Sequence, residues 1–279
     1  MGFESRAMIT EEESKLLTQT GKGTPCGELM RRYWQPAALS EDLAADKPFP
    51  VQLFGEELIL FRDGTGKPAL IGRYCAHQGV DMIYGRVEPD GLRCMYHGWL
   101  FDNCGKVVLR GDWLPEKERR WDVGQPAYPC IEAGGVIFVY MTVGEPSGLL
   151  GSGIFANLSA QDVVTKEHRS ENYLRRMTEL SESEPEGVSF VMPNILAWDG
   201  AKSGSQSWLR WHVPVDDSAY VEFTLRYDGG LPFAGQPRQS AIQTLRAVIE
   251  TIRANPQIAV TPANIVSLAR SIKPASDPG

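Results

Sequence analysis

The sequence predicts an α+β chain in two parts, a module of strands followed by a domain that mixes strands and helix. Between residues 34 and 145, short runs of β-branched and aromatic residues alternate with glycine-bearing turns. A break follows, with Pro146 and glycines at 148, 151 and 153. Beyond it a second strand-rich stretch, 171–228, precedes Ile242, Leu245, Ile249 and Ile252, which share one face of a helix over 239–254.

In chain order, residues 1–33 are a helical lead. Thr10 stands as N-cap before Glu11, Glu12 and Glu13, whose charges suit the positive end of a helix. Gly21, Gly23 and Pro25 end that helix, and Glu28 to Tyr33 form a second short one. The strand module spans 34–145. Within it Val51-Gln52-Leu53-Phe54 and Glu57-Leu58-Ile59-Leu60-Phe61 flank Gly55-Glu56 as a hairpin. Ala69-Leu70-Ile71, Gly91-Leu92-Arg93 and Trp99-Leu100-Phe101 are further strands, Asn103-Cys104-Gly105 is a turn, and Val136 to Tyr140 is a buried strand. Residues 146–170 read as a linker. The second domain covers 171–279, with strands at Ser207 to Val213 and Tyr220 to Leu225, a last short helix opened by Thr261-Pro262, and a frayed tail from Lys273.

Bulk composition narrows the function. The 279 residues carry 42% hydrophobic and 23% charged side chains, enough apolar material for a real core. A net charge of −7 argues against a surface that tracks phosphates, so nucleic acid is not an expected partner. No apolar run approaches the roughly 18 residues of a membrane span, and the early glutamates leave no room for a secretory signal. Met1-Gly2 opens like a myristoylation site, but Arg6 stands where Ser or Thr is needed. Five cysteines in a chain of this length are not a disulfide framework, which points to a reducing, cytoplasmic setting. Cys26, Cys104 and Cys130 are expected as small buried hydrophobes.

The chemistry lies in two short arms, Cys75-Ala76-His77 and Cys94-Met95-Tyr96-His97, with sixteen residues between them. Each arm offers one thiolate and one imidazole on a single tight loop. Two Cys and two His on neighbouring loops are the ligand set of a Rieske [2Fe–2S] centre, in which one iron is held by two Cys and the other by two His. A zinc finger usually pairs Cys with Cys in one arm and His with His in the other; here each arm mixes the two. With only four His and five Cys in the chain, both spacings are hard to obtain by chance. The reading therefore assigns Cys75 and Cys94 to the buried iron and His77 and His97 to the outer one, with the more exposed His edge as the electron's exit. Gly79 and Gly98 permit the tight turns, and Tyr96 and Trp99 are placed to roof the site against water.

The run from Gly27-Glu28-Leu29-Met30-Arg31-Arg32-Tyr33-Trp34-Gln35-Pro36-Ala37, through both arms, to Tyr128-Pro129 and Glu132-Ala133-Gly134-Gly135 resembles the Rieske half of the large (alpha) subunit of Rieske non-haem iron aromatic-ring oxygenases, of the phthalate 4,5-dioxygenase type. The likeness returns at Phe190 to Leu196 and at Trp211 to Asp217. It implies a helix-grip (START-like) α+β domain after the Rieske module, holding one Fe(II) on two His and one carboxylate with open positions for O₂. The sequence departs from that pattern. After the arms the only His are His168 and His212, and the places where the family's paired His are expected hold Gly187 and Met192. The second domain is thus expected as a truncated helix-grip domain without its mononuclear iron. His212 reads as a satisfied structural residue, His168 as solvated, and the run Glu179, Glu182, Glu184, Glu186 as an exposed loop.

The resemblance implies a ferredoxin or flavin reductase as electron donor and an oligomer. The favoured function is an electron-transfer component serving an oxygenase subunit with an intact iron site. The alternatives are a complete hydroxylase or demethylase with an unusual iron site, and a structural or redox-sensing subunit.

Overall fold

The computed structural model describes residues 11–109, 123–142, 149, 152–159, 162–183, 188–191, 193–230, 249–250 and 253–254. The expected N-cap Thr10, the positions Gly187 and Met192, the helix opened by Thr261 and the tail from Lys273 lie outside these residues, as does most of the 239–254 helix.

Helix α1, Glu11–Thr18, carries three acids in its first turn and buries Leu16 and Leu17. Helix α2, Pro25–Met30, has proline in its first turn, and the Thr24 side chain caps it by accepting from Gly27 N. The strands that follow are β1 (Gln35–Leu39), β2 (Phe49–Leu53), β3 (Glu56–Arg62), β4 (Pro68–Gly72), β5 (Arg86–Glu88), β6 (Gly91–Arg93), β7 (Leu100–Phe101), β8 (Val107–Leu109), β9 (Ala127–Tyr128), β10 (Cys130–Ala133) and β11 (Val136–Val139). They form three antiparallel sheets, in the orders β1-β11-β10, β2-β3-β4-β9 and β5-β6-β7-β8.

The continuous apolar run of β3 follows from burial on both faces. Leu58 and Leu60 enter the large core, which extends from the helical lead to the second part of the chain. Ile59 and Phe61 enter a smaller core with Ala69, Ile71, Met82, Leu92, Trp99 and Phe101. That smaller core also contains Cys75 and Cys94, so the arms are rooted in it. The β2–β3 turn falls on Phe54-Gly55, one residue earlier than the sequence suggested. Both residues take positive φ, +52° and +76°, as the tight twisted hairpin turn requires.

The second part begins with a short helix, α3 (Ser152–Phe155), and the strand β12 (Val163–Arg169). Both fall inside the span read as a linker. β12 escaped notice because it is largely exposed and polar on both faces, so it shows no alternation. Helix α4, Tyr173–Ser183, occupies a stretch read as strand. Its start is marked by Asn172, whose Oδ1 accepts from Leu174 N. Strands β13 (Ser189–Val191), β14 (Ile195–Trp198), β15 (Ser207–Pro214) and β16 (Tyr220–Tyr227) complete a five-stranded antiparallel sheet in the order β12-β16-β15-β14-β13. The two parts therefore form a mixed α+β fold.

They are also joined directly. Phe54 N and Gly55 N donate to the carbonyls of Pro214 and Val215 at 2.9 and 2.7 Å. Tyr173 Oη donates to Leu17 O at 2.8 Å, and Thr20 N to Asp217 Oδ1 at 2.7 Å. Phe138 and Trp211 meet edge to face, with ring centroids 6.1 Å apart. Of the three spare cysteines, Cys26 is buried as expected, and Cys130 only partly so. Cys104 is exposed, because its turn places it at a tip where its own N–H binds Asp102 Oδ1.

Candidate metal centre

The two arms are backbone copies of one another. In arm 1 Cys75 N donates to Val80 O and Gly79 N to Cys75 O, at 2.8 and 2.7 Å. In arm 2 Cys94 N donates to Trp99 O and Gly98 N to Cys94 O, at 2.8 and 3.0 Å. Gly79 and Gly98 both sit at φ +71°, a conformation a side chain would strain. Arm 1 joins β4 to β5, and arm 2 is the tip between β6 and β7, so two sheets of the module each deliver one Cys and one His to the same place.

All four arm residues converge there. The Cys75 and Cys94 sulfurs are within hydrogen-bonding reach of each other, and both residues are buried. Backbone N–H groups of His77 and Gln78 face the Cys75 sulfur, and those of Tyr96 and His97 face the Cys94 sulfur. The Cys94 thiol is pulled down to about 6, first by the hydrogen bond from Cys75, with burial opposing. The Cys75 thiol, donating to Cys94 and buried, is pushed above its ordinary range. Sulfurs ringed by peptide donors suit thiolate ligands.

On the other side His77 Nδ1 and His97 Nδ1 face each other at 3.0 Å. Two metal–imidazole bonds of about 2.0–2.1 Å to a common metal span a nitrogen–nitrogen edge of that size. The Cys pair and the His pair thus stand side by side as candidate ligands, in the arrangement a Rieske [2Fe–2S] cluster needs. His77 is 9% exposed and stacks on the fully buried Trp99, with centroids 4.5 Å apart and planes 7° apart. Trp99 thus fills the roofing role expected of it. Tyr96 does not: it is 60% exposed, although its ring centroid lies 3.9 Å from that of His97.

Sequence reasoning missed the residues that brace the arms. Arg73 makes a fork onto Asp81, with Nη2 to Oδ2 at 2.8 Å, across the neck of arm 1. The side chain of Gln125 donates from Nε2 to Tyr74 O at 3.0 Å. Arg93 pairs with Glu88 through two bonds of 2.6 Å and donates from Nη1 to Gly98 O at 2.7 Å. An arginine one or two residues before each arm's Cys, with an acid six residues after or before, was the available signal. The Arg93 guanidinium draws the Glu88 carboxyl down to about 2, and Arg73 lowers that of Asp81.

The remaining histidines are kept apart from the arms and from each other. His168 lies exposed on β12 opposite Val221, which in turn pairs with Val213. His212 pairs with Glu222, and its side chain therefore points to the other face of the sheet. The backbone of His212 is satisfied by Asn194, but its ring is not hydrogen-bonded among the described residues and stands 3.5 Å from Glu222 Oε2. The expected satisfied histidine is thus satisfied at its backbone only. Of the acidic run, Glu179 is on α4 and pairs with Arg175; Glu184 and Glu186 lie outside the described residues.

Comparisons with known proteins agree with this geometry. The family model for the Rieske [2Fe–2S] domain matches residues 33–115. Phenoxybenzoate dioxygenase subunit alpha of Ectopseudomonas oleovorans is 47% identical over 135 residues, covering 48% of this chain and 32% of that protein. The phthalate 4,5-dioxygenase oxygenase subunit of Pseudomonas putida is 40% identical over 136 residues, 48% of this chain and 31% of that one. The match thus spans about a third of the length of these relatives. Among solved structures, a carbazole-bound oxygenase in the ferredoxin complex of carbazole 1,9a-dioxygenase has TM-score 0.58 at 13% identity, over 94% of this chain and 93% of that one. That likeness extends the shared fold beyond the matched sequence into the second part. The stretch that carries both arms thus matches the Rieske [2Fe–2S] domain, and over about half of its length the chain is similar to the alpha subunits of ring-hydroxylating oxygenases of the phthalate and phenoxybenzoate types.

Proposed function

We propose that this chain is a one-electron carrier whose cluster is held by Cys75 and Cys94 on the inner iron and His77 and His97 on the outer, and that it serves a mononuclear iron on a partner oxygenase subunit. When bound, the cluster supplies reversible one-electron storage at a potential of roughly −150 to +300 mV. The protein's own part is to keep the sulfurs in a buried ring of peptide donors, to shield His77 with Trp99, and to leave His97 partly exposed as the point of exchange.

The observation that favours a partner's iron is the placement of His168 and His212 on opposite faces of one sheet, where they cannot share a metal. We read the five-stranded sheet with α4 against it as a reduced helix-grip domain. A ferredoxin or flavin reductase is the proposed donor, in line with the ferredoxin complex of the carbazole enzyme. Substrates of the partner would be aromatic or similar small molecules, as in the relatives' names. The setting is expected to be cytoplasmic and the assembly oligomeric; among the described residues no helix is long and apolar enough to cross a membrane.

The test is turnover of the purified chain with a reductase, NADH, O₂, added Fe(II) and an aromatic carboxylate. Reduction of the chain without hydroxylated product is the expected result. Product formed by the chain alone would overturn the assignment of the iron to a partner.

A further inference from the structure

We propose that Arg93 is a positioning residue for His97, an inference that rests on His97 being a cluster ligand. The two imidazoles are held by different means. His77 is walled in by the flat face of Trp99. His97 is partly exposed, and its ring neighbours are His77 and the outward-facing Tyr96. His97 therefore lacks the buried wall that Trp99 gives His77, and its place depends also on the backbone that carries it.

That backbone is tied from behind. The residue after His97 is Gly98, free to adopt φ +71° and equally free to leave it. Its carbonyl accepts from Arg93 Nη1 at 2.7 Å. The rest of the guanidinium is fixed by Glu88, Nε to Oε1 and Nη2 to Oε2, both at 2.6 Å. Glu88 ends β5 and Arg93 ends β6, immediately before Cys94. One planar group thus joins two strands to the far side of the loop that holds both arm 2 ligands. A lysine ammonium cannot make this fork and reach the carbonyl with the same rigidity.

Arm 1 lacks this arrangement. The residue before Cys75 is Tyr74, which is exposed, and the donors of Arg73 go to Asp81 and Glu57. The asymmetry matches the need: the buried histidine is held by a ring, the exposed one by a clamp on its backbone.

The test uses the holoprotein with Arg93→Met and Arg93→Lys, and Arg86→Met as control. Arg86 also pairs with Glu88 but makes no contact with Gly98. For each variant the readouts are cluster loss to a chelator, the EPR g values of the reduced form, the midpoint potential, and the far-UV melting curve. Arg93→Met is expected to lose its cluster about 10- to 100-fold faster, the range for residues that orient metal ligands, with shifted g values and potential. Arg93→Lys recovers only part of this, and Arg86→Met behaves as wild type. Wild-type g values, potential and loss rate in Arg93→Met would overturn the proposal, as would faster loss that merely tracks a lower melting temperature with an unchanged EPR spectrum. If Arg93→Met does not fold, unchanged g values and loss rate in Arg93→Lys decide against it. An intact wild-type EPR signal in His97→Ala would instead sink the ligand assignment, leaving the two failures distinguishable.

Discussion

Replacing Trp99 by alanine should cost both stability and the shielding of His77. The indole is fully buried in the smaller core, beside Phe101 at 6.3 Å between centroids and stacked on His77 at 4.5 Å. Emptying a site of that size costs roughly 3–5 kcal/mol, and losing a ring pair adds about 0.5–1.5 kcal/mol. The sum, roughly 3.5–6.5 kcal/mol, is comparable to the total stability of about 5–15 kcal/mol that a native domain has. Trp99→Ala should therefore sit at the edge of folding. Trp99→Phe keeps a ring beside His77 and should be milder. Met95→Ala, on the exposed tip of the same arm, should stay within about 0.5 kcal/mol of wild type. Urea unfolding of the holoprotein followed by far-UV circular dichroism reads these differences. A loss below about 2 kcal/mol in Trp99→Ala would refute the idea that this ring roots the arms.

Other perturbations test other parts of the account. His77→Cys should retain a cluster but lower its midpoint potential by on the order of 100 mV or more, because a thiolate gives the iron more charge than an imidazole; voltammetry showing an unchanged potential would remove His77 from the ligand set. Gly91→Ala should destabilise by roughly 4 kcal/mol or more, since a Cβ there would stand 1.9 Å from Phe101 O at a φ of +146°; a soluble variant with wild-type melting would contradict the geometry of β6. Burial drives His212 down to about 3 from an ordinary 6.5, although Glu222 lies 3.5 Å away. A folded value below the unfolded one means that the stabilising contribution is complete above about pH 6.5 and is lost as pH falls toward 3. His212→Gln should flatten the stability–pH curve across that window, and an equally steep fall in the variant would assign the acid sensitivity to other groups.

Much of the site was legible because its chemistry is local. Each arm is a tetrapeptide or shorter with a glycine four residues after its Cys, and such loops close on their own backbone, as the matching Cys N–H bonds show. The strands β3 and β11 were readable from unbroken apolar runs, which are buried along most of their length. What failed to show depended on long-range partners. β12 is a strand because β16 pairs with it along its whole length, not because its side chains alternate. Among the described side chains of helix α4 the buried ones are Tyr173, Leu174 and Met177, which do not make a helical period stand out in the sequence. The bracing by Arg93 and Arg73 was hidden for a related reason. A charged residue beside a cysteine looks like any surface charge until the fold brings Glu88 or Asp81 onto it.

The central claim is that this chain carries one Rieske cluster and relies on another chain for a mononuclear iron. Iron and acid-labile sulfide per purified chain, with EPR of the dithionite-reduced and the oxidised protein, tests it most directly. The account predicts about two irons and two sulfides with a Rieske signal alone. A third iron, with a high-spin ferric signal in the oxidised protein, would contradict it and make the chain an oxygenase in its own right.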